Sequence, residues 1–195
     1  MSTTSTIVPT GTYAIDPAHS RVEFAVKHLG IATVKGSFGS FEGTLELDGD
    51  VSNAKAYGTV EVVTVDTKEP QRDEHLRSPD FFDAERFPSI TFVSTDIRQV
   101  GDDHFDVTGD LTIRETTRPI TFDVTLEGIV PGMSGARHAG LSATATIARD
   151  DWGLNWNVAL EQGGWLVGKE IKLDITIAAD EVAAAEPARL VGATA

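Results

Sequence analysis

The 195-residue sequence contains no cysteine, which excludes disulfide bonds, thiolate metal ligands and cysteine nucleophiles. No apolar run approaches the ~20 residues that a membrane-spanning helix needs. The opening residues MSTTSTIVPTGTY have neither a basic segment nor an apolar stretch of signal-peptide length. We therefore expect a cytoplasmic protein without direct membrane insertion.

Basic residues are scarce, with 16 Lys and Arg against 30 Asp and Glu, and the formal net charge is −14. This charge repels nucleic-acid phosphates at long range, so we expect no nucleic-acid partner. Catalytic and cofactor motifs are also missing, because no G-x-S-x-G, phosphate-binding loop or dinucleotide fingerprint occurs. The tightest spacing of metal-ligand types, Asp73-x-His75, places its two side chains on different faces of a predicted helix. The sequence therefore predicts no metal site.

Apolar and polar residues alternate along most of the chain, the period that places alternate side chains on opposite faces of a strand. The pattern is clearest in Arg21–His28, Ile90–Ser94, Phe105–Ile113, Ile120–Leu126, Leu141–Ile147 and Ile171–Ile177. Weaker segments at Thr12–Ile15, Gly43–Leu47 and Ala56–Val65 bring the number of strands to about eight. The opposite faces carry mostly Thr, Asp, Glu and Lys, as in antiparallel strands with one dry face. This favours an all-β sandwich or an eight-stranded antiparallel barrel, whose lumen is filled by side chains or holds one small ligand.

The stretch RDEHLRSPDFFD, Arg72 to Asp83, interrupts the alternation. Pro70 suits the first position of a helix, which predicts a short helical insert over Glu69–Arg77, followed by a turn at Ser78–Ala84. The i,i+4 spacing of Asp73 and Arg77 predicts an ion pair. Leu76, Phe81 and Phe82 give the insert an apolar underside.

We divide the chain into a disordered N-terminal arm (1–10), one barrel domain (11–178) and a flexible Ala-rich tail (179–195). The arm is short, polar and Thr-rich. The tail has Pro187 within an Ala-rich run, so a frayed helix is its alternative conformation.

Four stretches together resemble the YceI-like family of lipocalin-like, polyisoprenoid-binding proteins. They are DPAHSRVEFAVKHLGIATVKGSFGSFEG (16–43), DTKEPQRDEHLRSPDFFDAERFPSITF (66–92), GDLTIRETTRPITFDV (109–124) and IARDDWGLN (147–155). The resemblance implies a barrel that holds a polyisoprenoid, a quinone or a fatty amide, with no established catalytic residues. It also implies a homodimer. Members often carry a periplasmic signal peptide, which we do not transfer to this chain.

The apolar face and the resemblance together indicate which residues line a ligand: Phe24, Val26, Phe38, Phe92, Phe122, Trp152 and Leu154. The three tryptophans, Trp152, Trp156 and Trp165, are alternatively core side chains with satisfied N–H groups. Four residues are candidates for contacting a lipid headgroup: His28, Arg72, His75 and Arg149. The alternative for each is an ion pair or capping bond that holds the insert on the barrel.

We expect a non-catalytic protein that binds, stores or transports a long-chain apolar lipid, with no cofactor beyond that lipid. One alternative is an enzyme that acts on the bound lipid through His28 or His75 as a general base. The other is a dimeric interaction module whose barrel core is filled and binds no ligand.

Overall fold

The computed structural model describes residues 7–132, 135–161 and 163–182. Within them, eleven strands and one α-helix follow one another along the chain. The strands and the helix are β1 Ile7–Ile15, β2 Arg21–His28, β3 Ala32–Phe38, β4 Phe41–Asp50, β5 Lys55–Glu61, β6 Val65–Asp66, α1 Pro70–Arg77, β7 Ser89–Gln99, β8 His104–Ile113, β9 Thr116–Pro131, β10 Arg137–Ala148 and β11 Val167–Val182. Short 3-10 turns occupy Val51–Asn53, Val62–Thr64 and Arg149–Trp152.

The eleven segments form eight strands of one closed antiparallel barrel, which confirms the predicted fold. β1 and β2 follow each other along β11, because Ile15 pairs with Ala179 and Val22 pairs with Ile175. The next barrel strand consists of β3, which pairs with β2, and β4, which pairs with β1. The third consists of β5, which pairs with β4, and β6, which pairs with β3. Three barrel strands are therefore interrupted, and β7 to β11 are continuous.

Two glycines on the inner face explain how aromatic rings fit inside the barrel. A Cβ atom at Gly36 would lie 2.4 Å from Cζ of Phe24, and one at Gly109 would lie 2.4 Å from Cζ of Phe92. Each ring therefore covers a glycine on the neighbouring strand. Because the rings lie against the wall, they leave the middle of the barrel open.

The helical insert forms as predicted, but its anchoring differs. Glu69 caps α1 by accepting a hydrogen bond from the Gln71 N–H at 3.1 Å. The predicted ion pair between Asp73 and Arg77 is wrong. The buried Asp73 carboxylate accepts from the N–H and hydroxyl of Thr67 at 2.8 and 2.5 Å, while Arg77 donates to two backbone carbonyls at Val63 and Val65. Both side chains attach the helix to the segment that precedes it, between Val63 and Thr67.

The strands extend past both predicted domain boundaries. β1 begins at Ile7, within the range assigned to the arm, and β11 ends at Val182, within the range assigned to the tail. The reason is long-range pairing: Tyr13 pairs with Glu181 on one side and with Leu45 on the other. The rest of the predicted arm and tail lies outside the described residues. In the part of the chain that the structure describes, no helix is long and apolar enough to cross a membrane.

Candidate functional site

The interior of the barrel is a cavity of about 350 Å³. This volume falls within the range of small-molecule sites, about 300–1,000 Å³. Apolar side chains from all eight barrel strands line it. Six of the seven residues named from the sequence as ligand-lining are among them: Phe24, Val26, Phe38, Phe92, Phe122 and Leu154.

Aromatic pairs form part of the cavity wall. Phe24 and Phe38 have ring centroids 5.6 Å apart, and Phe92 and Phe122 meet edge to face at 5.4 Å. Phe24 and Phe92 remain half-buried although they point into the barrel. Their remaining exposure shows that they face open space, so the core is not packed solid.

Trp152 does not line the cavity, which corrects the sequence-based assignment. Its indole N–H donates to the Leu111 carbonyl at 3.0 Å, and the side chain is 3% exposed in a cluster with Ile113 and Ile147. The other two tryptophans differ from it and from each other. Trp156 packs in an aromatic cluster, whereas Trp165 is 53% exposed.

Tyr13, Arg137 and Glu181 form a cluster at one end of the barrel, which we call the sealed end because Tyr13 is fully buried there. Tyr13 is fully buried against Ala139 and Ala179, which line the cavity. Arg137 and Glu181 lie two residues further along the same strand faces. The Arg137 guanidinium lies over the Tyr13 ring, 5.7 Å from its centroid.

The ion pair at the sealed end is reinforced by several hydrogen bonds. Arg137 donates its Nε–H and its backbone N–H to Oε2 of Glu181 at 2.9 and 3.1 Å, and its Nη2 donates to Oε1 and to the Thr10 carbonyl. These bonds hold the pKa of Glu181 down to about 2. Burial raises the pKa of Tyr13. Sequence reasoning missed this cluster because it ended the barrel at residue 178.

The opposite end, which we call the helix end, carries α1 and residues 149–161 and 163–166. Leu76, Phe81 and Phe82 of the insert contribute to the cavity lining. The His75 ring lies between Trp156 and Phe81, with centroids 4.5 and 5.0 Å away. Aromatic contacts therefore connect the insert to the loop that follows β10.

Three of the four headgroup candidates lie outside the cavity lining. His28 is half-buried at the end of β2, where it pairs with Val167. Arg72 donates to the hydroxyl and carbonyl oxygens of Thr67 at 2.7 and 2.8 Å. His75 hydrogen-bonds Asp80 at 3.0 Å. The hydrogen bonds of Arg72 and His75 are therefore of the structural kind that was the alternative to a headgroup role.

Arg149 is the headgroup candidate that lines the cavity. Its side chain is buried, with the residue 4% exposed. The guanidinium donates to the carbonyls of Gly168 at 2.9 Å and Trp156 at 3.0 Å, and also to that of Leu154. Burial lowers the pKa of Arg149, and the adjacent Asp150 carboxylate partly opposes that shift. Among the described residues that line the lumen, which include Glu23 and Glu42, Arg149 is the one with a positively charged side chain.

In the part of the chain that the structure describes, no metal centre competes with the lumen as the candidate site. Over residues 7–132, 135–161 and 163–182, no group of three or more His, Cys, Asp or Glu side chains could hold a metal ion. A second, polar concavity between Gly11 and Ile97 shares the lining residues Leu47, Ala54, Tyr57 and Ile97 with the lumen, and among the described residues it gathers no such group either. The lumen with Arg149 at its helix end is the candidate functional site.

Comparisons with known proteins agree with this geometry. The model of the YceI-like domain family matches residues 13–179. The Staphylococcus aureus UPF0312 protein SAS2572 is 41% identical over 164 residues, which cover 83% of this chain and 93% of the relative.

Solved structures show the same fold. The Campylobacter jejuni YCEI protein superimposes with a TM-score of 0.70 at 28% identity, covering 80% of this chain and 90% of that chain. Burkholderia cenocepacia BcnA has a TM-score of 0.71 at 23% identity, over 84% of this chain and 98% of its own. A polyisoprenoid binding domain from Saccharophagus degradans, implicated in plant cell wall breakdown, has a TM-score of 0.67 at 14% identity, over 87% and 98%.

Proposed function

We propose that this chain, which belongs to the YceI-like domain family, binds a long-chain apolar lipid in its barrel lumen and stores or carries it unchanged. Polyisoprenoids, quinones and fatty amides are the candidate lipids. The observation that carries the proposal is the apolar lining of the 350 Å³ cavity. The polyisoprenoid-binding description of the Saccharophagus degradans domain supports it at the level of the fold.

Energetics favour a long ligand over a small one. Each buried methylene contributes ~0.8 kcal/mol, whereas association costs about 4–15 kcal/mol. A ligand therefore needs about 5 to 19 methylene-sized groups to offset that cost. Because methylene groups carry no directional information, the lumen wall alone discriminates poorly between apolar chains.

The two alternative functions have less support. Neither His28 nor His75 lines the cavity, so a general base on either residue lacks contact with a bound chain. A ligand-free interaction module requires a filled core, whereas this barrel is hollow. A homodimer and a cytoplasmic location stay predictions, which sedimentation velocity and cell fractionation test.

The test begins with the native ligand. Protein purified under mild conditions is extracted with organic solvent, and the extract is analysed by mass spectrometry. Delipidated protein is then titrated with a fluorescent prenyl probe. We expect a chain lipid in the extract and saturable uptake of the probe. Empty extracts together with no uptake would remove the proposal.

Two variants test whether the prenyl probe binds in the lumen. Ala143 lines the cavity, and the neighbouring Thr144 is exposed on the other face of β10. Ala143→Leu places three more carbon atoms beside the ligand and should weaken probe binding at least tenfold, whereas Thr144→Leu should leave it unchanged. Equal effects of the two variants would place the probe outside the barrel.

A further inference from the structure

Exposed apolar side chains gather at two loop tips on the outside of the helix end. Among the large apolar residues that are exposed in the described part of the chain, the leucine, the isoleucine and the tryptophan are Leu29, Ile31 and Trp165. Ile31 is 83% exposed. Together with the exposed Val158 they form a group that we call the tip patch.

Backbone hydrogen bonds hold the two tips side by side. The Leu29 N–H donates to the Leu166 carbonyl at 2.9 Å, and the Leu166 N–H donates to the Val158 carbonyl at 2.9 Å. Trp165 precedes Leu166 in the chain, and Val167, which follows it, lines the lumen. The tip patch is therefore continuous with the wall of the cavity.

The turn between β2 and β3 contains a leucine that folding alone does not explain. The Ile31 N–H donates to the His28 carbonyl at 3.2 Å, and the two residues between them, Leu29 and Gly30, have φ values of 55° and 71°. Asparagine, aspartate and glycine are preferred where φ is positive, and leucine rarely adopts this conformation. The exposed Leu29 side chain has little core packing to offset that strain. Strain of this kind is typical of residues with a role at the surface.

Lysines border the tip patch in a chain that is otherwise acidic. Residues 27–35 and 157–169 carry Lys27, Lys35 and Lys169, whereas Glu161 is their one acidic residue. Lys169 pairs with Asp150 at 2.8 Å, just outside these segments. Charges more than a Debye length away are largely screened, so the acidic remainder of the chain does not cancel this local excess. Exposed Trp, Leu and Ile beside lysines is the composition of surfaces that bind bilayers containing anionic lipid.

We propose that the tip patch docks on the surface of a lipid bilayer that contains anionic lipid. Leu29, Ile31 and Trp165 then lie at the level of the lipid headgroups, and the helix end of the barrel faces the bilayer. The contact is peripheral, without a segment that crosses the membrane. This inference goes beyond the proposed function, because it assigns a partner to the outer surface and does not depend on what the lumen binds.

The first experiment measures docking directly. The full chain is mixed at low ionic strength with vesicles of phosphatidylcholine and phosphatidylglycerol, and co-flotation is scored. Brominated phosphatidylcholine in the same vesicles quenches the fluorescence of a tryptophan that contacts the bilayer. We expect co-flotation together with quenching, and Trp165→Phe should lose most of the quenching. Absent co-flotation, or unchanged quenching in Trp165→Phe, would overturn the proposal.

Matched variants then assign docking to the tip patch. Ile31→Ser combined with Trp165→Ser should weaken vesicle binding at least tenfold. The control combines Val100→Ser with Val130→Ser, two valines that are 59% and 58% exposed toward the opposite end of the barrel, and it should bind as the wild type does. Leu29→Asn should weaken binding without lowering Tm, because asparagine suits the turn. Equal losses in the two double variants would contradict the assignment.

Two further measurements separate this inference from its rivals. Uptake of a fluorescent prenyl probe without vesicles reports on the lumen alone, and the variant with Ile31→Ser and Trp165→Ser should retain it. Uptake without docking would remove only the inference, and docking without uptake would remove only the lipid-binding function. Sedimentation velocity tests a second copy of the chain as the occupant. If the same variant dissociates a dimer while its vesicle binding is unchanged, the tip patch is a dimer surface and the proposal fails.

Discussion

Both ends of the lumen carry an arginine, and the two arginines have different partners. At the sealed end, Arg137 donates three hydrogen bonds to Glu181, over the ring of Tyr13. At the helix end, the acceptors of Arg149 within the described residues are all backbone carbonyls. The difference indicates that Glu181 neutralises the charge of Arg137 and that Arg137 has a structural role. Arg149 is held instead by the dipoles of backbone carbonyls.

The strongest test of this comparison removes the aromatic ring of Tyr13 at the sealed end. Tyr13 is fully buried, and Tyr13→Ala should lower the free energy of unfolding by about 3–5 kcal/mol, as for other large-to-small core substitutions. The chain offers a control in its second tyrosine, Tyr57, which is 36% exposed. Tyr57→Ala should cost less than half as much. Urea unfolding measures both, and equal losses would show that the sealed end is not closely packed.

The second test addresses the structural part of the Arg149 role. Arg149→Ala leaves three carbonyls without their donor, and we expect a loss of about 2–3 kcal/mol in unfolding free energy. Arg118→Ala removes a single exposed donor and should change stability by no more than about 0.5 kcal/mol. A loss below that level for Arg149→Ala would mean that water satisfies the carbonyls.

The third test uses acid to break the sealed end. The folded-state pKa of Glu181 is about 2, below its ordinary value of 4.5, so the folded protein binds fewer protons there than the unfolded chain does. The stability from this pair is therefore complete above pH 4.5 and is lost as the pH falls toward 2. Glu181→Gln and Arg137→Gln should both show a shallower fall in Tm over that interval. An unchanged slope in Glu181→Gln would contradict the lowered pKa.

The strands and their inner faces were predictable because apolar and polar residues alternate locally along the sequence. Val22, Phe24 and Val26 alternate with polar residues, so their inner face follows from the sequence alone, and Phe24 and Val26 do line the lumen. The insert was also recognisable, because Pro70 and the loss of alternation are local signals. The interrupted barrel strands were less visible, since β1 and β2 align only through their separate pairing with β11.

Side-chain partners distant in sequence were not predictable. The Trp152 indole bonds to a carbonyl 41 positions away, and Arg137 meets Glu181 across 44 positions. Neither separation has a local signal. Asp73 was assigned to Arg77 because helical spacing permits that pair, but Thr67 offers the carboxylate two donors in a buried position. A residue type in a suitable spacing indicates a possible contact, and competing donors determine which contact forms.

The smallest expected effect concerns one oxygen atom at the sealed end. The Tyr13 hydroxyl is buried and, within the described residues, lacks a hydrogen-bond partner. Burying such a group without compensation costs free energy, so Tyr13→Phe should raise the free energy of unfolding by about 1 kcal/mol. The phenyl ring would still pack on Ala139 and Ala179 beneath Arg137. A decrease in urea unfolding would instead reveal that the hydroxyl has an acceptor, and the sealed end would then depend on a hydrogen bond in addition to packing and the ion pair.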